Sequence, residues 1–178
     1  VAGIHAKKVV IGDFNDLNIL VRGENTYFID ADSFQFANFL CSAFTAKFVD
    51  PLLCGSGGKL MLERPYVETA DWYAYAIMLM QCLLYVDPYG GVYQPKNKAN
   101  NITHDSRPLH RITVFNPDVI YPKPAIHYSL LPDELLGYLQ KIFEKDLREE
   151  FPESMLKKII WQKCPNCSLM HARPICPN

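Results

Sequence analysis

Ile11-Gly12-Asp13-Phe14-Asn15-Asp16-Leu17-Asn18-Ile19-Leu20-Val21 is the stretch on which the fold turns. An apolar run, Val9-Val10-Ile11, leads into it, and a second, Ile19-Leu20-Val21, leads out. Between them the chain turns through Gly, Asp and Asn. An acid followed five positions later by an amide, in a loop held between two buried segments, aims two polar groups at one point. A similar device follows: Tyr27-Phe28-Ile29 runs into Asp30-Ala31-Asp32. Pairing of the two apolar runs as a hairpin through Arg22-Gly23-Glu24-Asn25 would bring Asp13, Asn18 and Asp30 to the same end of it. Two carboxylates and an amide converging there suit a divalent metal and a phosphate. The bland alternative is that all three are turn-formers, since Asp and Asn side chains bond nearby backbone groups.

These residues resemble the catalytic half of the protein-kinase-like superfamily. Its catalytic loop reads H-R-D-L-x-x-x-N, and Asp13, Phe14 and Asn18 stand at its Asp, Leu and Asn. Asp30 stands at the Asp of the D-F-G element. The wording Ile29-Asp30-Ala31-Asp32-Ser33-Phe34-Gln35 is similar to a bacterial and phage branch with an I-D-x-D-S-F-Q signature. The resemblance implies that Asp13 is the catalytic base, that Asn18 and Asp30 hold Mg²⁺, and that Asp30 bridges the ion to the phosphates of ATP. Asn15 stands where many Ser/Thr kinases carry a Lys that steadies the transferring phosphate, and is grouped with Asp13 as catalytic. Asp32 either adds a second cofactor ligand or caps the following turn. Ile11 and Gly12 replace the His and Arg of the loop, which removes the usual partner of an activation-loop phosphate. Ala31 and Asp32 replace the Phe and Gly that normally set active and inactive states.

The chain has 178 residues, 49% of them apolar, enough for one globular domain with a proper core. A net charge of −1 gives no electrostatic reason to expect nucleic acid or an anionic membrane as partner. No apolar run is long enough to span a bilayer. The six cysteines are not evenly spaced like a disulfide framework, which favours a reducing, cytoplasmic setting. The chain opens mid-domain and ends mid-motif, so it reads as a fragment lacking a small lobe and not expected to turn over alone.

Ser33 to Asp50 reads as an activation segment, and His5 as an exposed or a helix-end residue. Pro51 fits the end of that segment, but Leu52 replaces the Glu that would pair with a distant Arg. Gly55-Ser56-Gly57-Gly58 lacks the Lys-Ser/Thr of a phosphate cradle and reads as a flexible loop. Thr69 to Tyr85 predicts a helix apolar nearly all round, hence buried, with Thr69 as N-cap. It resembles the central helix of the kinase large lobe, whose opening Asp bonds the catalytic-loop backbone. Asp71 is therefore expected to be a structural anchor. Residues 92–129 read as long surface connections with solvated histidines. Pro132 to Leu147 predicts an amphipathic helix, and Glu153 to Trp161 a short final one.

The tail differs. Cys164-Pro165-Asn166-Cys167 is a C-x-x-C knuckle, and Cys176-Pro177-Asn178 looks like the start of another. Thiolates at this spacing can grip a structural Zn²⁺, with His171 the nearby fourth donor in the chain; the alternative is free thiols. The fold expected is α+β and mainly helical: a kinase-like C-terminal lobe over residues 1–162, with a catalytic-loop hairpin and a buried central helix, then a partial zinc ribbon over 163–178. The function expected is an ATP- and Mg²⁺-dependent Ser/Thr protein kinase acting on an unidentified protein. The rival readings are a pseudokinase scaffold, favoured by the altered loop positions, and a small-molecule kinase.

Overall fold

Seventeen residues of apolar helix, α2 (Glu68–Leu84), form the axis on which the other elements pack. The computed structural model describes residues 1–178 and shows an α+β domain of five helices and four two-stranded antiparallel sheets. In chain order the elements before α2 are α1 (Ala2–His5), β1 (Val9–Val10), β2 (Ile19–Arg22), β3 (Asn25–Phe28) and β4 (Gln35–Phe36). After it come β5 (Val92–Tyr93), α3 (Arg107–His110), β6 (Val119–Ile120), α4 (Asp133–Glu144), α5 (Glu153–Lys157), β7 (Gln162–Lys163) and β8 (Met170–His171).

Ala70, Tyr73, Ala74, Ile77, Met80 and Leu84 bury one broad face of α2. The side carrying Tyr75, Met78 and Leu79 stays partly open, so burial is less complete than the all-round apolar pattern suggests. The helix starts one residue earlier than expected. Val67, not Thr69, holds the N-cap position, and no side chain caps it. α4 lays Leu135, Leu139, Ile142 and Phe143 into the same core, where the Tyr73 and Phe143 rings meet edge-on at 5.5 Å. It ends at Glu144 rather than Leu147 because Asp146 takes the left-handed conformation, φ 56°. α5 stops at Lys157, short of the expected Trp161, which leaves Ile160 exposed.

β2 and β3 form the predicted hairpin, with Ile19 opposite Phe28 and Arg22 opposite Asn25, so the loop is Gly23-Glu24. β1 pairs with β4, Val10 opposite Gln35, and closes the two ends of the Asp-bearing stretch together. Residues 92–129 are more than surface connections. β5 pairs with β6, and Arg107, Thr113, Val114 and Val119 are buried. No helix is long and apolar enough to cross a membrane.

The tail hairpin β7–β8 is not a free-standing unit. The Ala172 N–H donates to the Leu130 carbonyl at 2.8 Å, and the Arg173 guanidinium reaches the Ser129 carbonyl and Asp133 at the start of α4.

Candidate functional site

Asp71, in the first turn of α2, has no exposed surface and holds three donors. Its Oδ2 accepts from the Ile11 N–H at 2.7 Å and pairs with His5 Nε2 at 2.8 Å; its Oδ1 accepts from the Gly12 N–H at 3.0 Å. A buried carboxylate with all its partners present fixes the backbone it bonds. Here it fixes the two residues immediately before Asp13. His5 ends α1, as one of the two expectations had it, but is buried in this network, edge-on to Trp72, rather than exposed.

Gly12 cannot be another residue without movement. Its φ is +77°, and a Cβ would sit 2.8 Å from the Ser33 carbonyl oxygen and 3.0 Å from the Cys41 sulfur. Burial pushes the Cys41 thiol pKa up, so this sulfur acts as a small apolar wall behind the loop. Phe14 seats the loop from the other side, packing edge-on against Phe28, which in turn meets Phe34.

The loop then closes on itself. Asn15 accepts from the Leu17 and Asn18 N–H groups through Oδ1 and donates to the Asp13 carbonyl through Nδ2. Asn18 Nδ2 donates to the same carbonyl at 3.2 Å, which leaves its Oδ1 without a bond in the chain. Asn15 therefore braces the loop, and its buried amide is spent on backbone. The expected role for Asn15 beside a transferring phosphate gives way to this one.

Asp13 is the exception in this network. Its Oδ1 is buried yet has no hydrogen-bond partner. Unsatisfied buried polar atoms are rare, and those that exist call for a specific reason. Asp30 follows at the end of β3, where the Ile29 N–H donates to the Asn18 carbonyl at 2.9 Å and ties the two expected site segments together. Asp30 is left-handed, φ 60° and ψ 50°, which costs about 1 kcal/mol for a residue that is not glycine. The Ser33 hydroxyl donates to its carbonyl and holds the turn. Asp30 and Asp32 are exposed. Asp13, Asp30 and Asp32 do not gather as a cluster of three ligands, whereas Cys164, Cys167 and Cys176 do.

Two features escaped the sequence reading. Gln35, the last residue of the Asp-Ser-Phe-Gln run, donates to the Tyr66 carbonyl at 2.8 Å, and the Tyr66 hydroxyl donates to the Ala43 carbonyl. The segment after Asp30 is thereby strapped to the start of α2. Asp50 is buried and takes a two-pronged bond from Arg148, 98 residues away, at 2.6 and 2.8 Å. Arg148 also lies 4.3 Å over the Tyr73 ring. Burial alone would lower the Arg148 pKa, but the Asp50 bond and charge more than offset it. The pairing with a distant Arg, expected to be lost at Leu52, is made from Asp50 instead; the signal was an acid directly before Pro51.

The sulfur atoms of Cys164, Cys167 and Cys176 lie within 4.8 Å of one another, with Cys167 and Cys176 at 3.6 Å. Tetrahedral thiolates about 2.3 Å from a Zn²⁺ ion stand roughly 3.8 Å apart, so the group fits that ion. Backbone N–H groups of Cys167 and Asn166 point at the Cys164 sulfur and lower its pKa to about 7. His171 does not join them. It is buried, and its Nδ1 accepts from the Arg173 N–H, so it is not the expected fourth donor.

No family model matches the chain, and no curated protein matches it.

Proposed function

We propose that this chain carries the catalytic face of a protein-kinase-like phosphotransferase that uses ATP and Mg²⁺. The observation that carries the reading is the unpartnered, buried Oδ1 of Asp13 on a loop whose backbone is held by Asp71, Asn15 and Asn18. A carboxylate oxygen kept free of protein donors is available to take a proton from, or orient, an incoming hydroxyl. Asp71 and Asn15 hold the backbone on either side of it, so the oxygen does not have to be reorganised at the moment of reaction. The Asp50–Arg148 bond and the Gln35–Tyr66 strap support the same reading, because they hold the segment along which an acceptor would lie.

The free Oδ1 of Asn18 and the exposed, unpaired carboxylate of Asp30 are hard oxygen donors of the kind Mg²⁺ prefers. When bound, Mg²⁺ would neutralise charge on the phosphates. The left-handed Asp30 is strain kept at the position that would meet the ion. The free thiols Cys41, Cys54 and Cys82 favour a reducing compartment such as the cytoplasm.

The second reading is a pseudokinase scaffold. Asn15 is committed to backbone, Gly12 replaces an Arg, and no Lys or Arg pairs with Asp13, Asp30 or Asp32. Calorimetric titration with ATP, with and without Mg²⁺, separates the readings. Asp30→Ala should weaken Mg-ATP binding about tenfold or more, the worth of one charge-assisted contact, and leave Mg-free binding nearly unchanged. Equal affinities in the wild type and the variant would sink the metal role and favour the scaffold.

A further inference from the structure

Residues 160–178 dock on the body without a core of their own. Neither apolar cluster includes a residue beyond Ile159, and Ile160, Met170 and Ile175 face solvent. The docking bonds are few: Ala172 N–H to the Leu130 carbonyl, and Arg173 to the Ser129 carbonyl and to Asp133; Gln162 to the Arg173 carbonyl, at 2.7 Å, is internal to the segment. Two hydrogen bonds and one surface ion pair contribute little against the entropy of ordering a segment of this length. Something else must hold it.

The position of the bonds says what. Ala172 and Arg173 lie between the Cys164–Cys167 knuckle and Cys176. Closing the three thiols on one ion turns residues 164–176 into a loop, and its β8 side presents Ala172 and Arg173 to the start of α4. Cys164 N–H to the Leu169 carbonyl and Ser168 N–H to the Cys164 carbonyl shape the knuckle inside that loop. Metal binding to small units of this kind is folding free energy.

We propose that Zn²⁺ held by Cys164, Cys167 and Cys176 is the clamp that docks residues 162–176 on the start of α4, so that metal loss releases this segment and leaves the body folded. The inference does not depend on the phosphotransfer reading. It makes Ser129 and Leu130 a surface that is partly covered when the ion is bound and bare when it is not.

Amide hydrogen exchange on the zinc-loaded protein, before and after chelation, tests it. Chelation should speed exchange at Ala172 and Cys164 by at least about a hundredfold. The Ile11 and Gly12 amides, bonded to Asp71, should keep their protection, and added Zn²⁺ should restore the tail. Arg173→Ala should still take up one equivalent of saturating Zn²⁺ while Ala172 exchanges faster. Unchanged Ala172 protection after chelation would overturn the clamp. So would parallel loss at Ile11 and Gly12, or failure of the wild type to bind Zn²⁺ stoichiometrically.

Discussion

The loop around Asp13 and the tail around Cys164 are both short, polar and without a hydrophobic core of their own, yet they are held in opposite ways. The loop rests on a carboxylate that belongs to the main core: Asp71 is as buried as the Ile77 and Met80 that share its helix. The tail rests on three clustered thiols, with Cys164 buried and Cys167 exposed, and on a few bonds to the body. A segment seated by a core residue keeps its shape as long as the domain is folded. A segment seated by an ion keeps its shape as long as the ion is there. The first arrangement suits a site that must stay preorganised, and the second suits a part that can be released.

The largest test of this contrast is Asp71→Ala. It strands two buried backbone N–H groups and His5, and should cost about 3–5 kcal/mol in urea denaturation. A loss below about 1 kcal/mol would mean the loop is held by something else. Arg148→Ala leaves Asp50 as a buried, unpaired charge and should cost about 3 kcal/mol by the same measurement. Gly12→Ala combines a positive φ with a Cβ against the Ser33 carbonyl; about 2 kcal/mol is expected, with the Asp13 loop displaced in a crystal structure of the variant. Asp13→Ala should change stability by no more than about 0.5 kcal/mol, because the carboxylate oxygen it removes has no partner to lose. Cys176→Ser should leave the denaturation midpoint of the body where it was and abolish zinc binding, read by metal analysis and by the exchange rate at Ala172.

Where local pattern decides structure, the sequence was legible. Apolar runs on either side of Arg22-Gly23-Glu24-Asn25 foretold the hairpin, and the apolar run of residues 72–84 foretold α2. Periodicity says less about ends. α4 stops where Asp146, bonded to Arg111, turns left-handed, and that bond joins residues 35 apart. The same limit hid the Asp50–Arg148 pair and the buried place of His5, since neither partner is near in sequence. At the site, the family resemblance put Asn15 beside Asp13 as a catalyst. Only the three bonds made by its side chain show it bracing the loop. His171 was a plausible ligand by spacing until the turn to Arg173 carried its ring out of reach of the three sulfur atoms.

The most direct test of the central claim is transfer of the γ-phosphate from Mg-ATP by a protein carrying this chain in its natural sequence context, wild type against Asp13→Ala at equal folded fraction. The wild type should transfer phosphate and the variant should lose at least about a hundredfold, with stability unchanged. Transfer that survives in Asp13→Ala, or a folded wild type that transfers no phosphate, would contradict it.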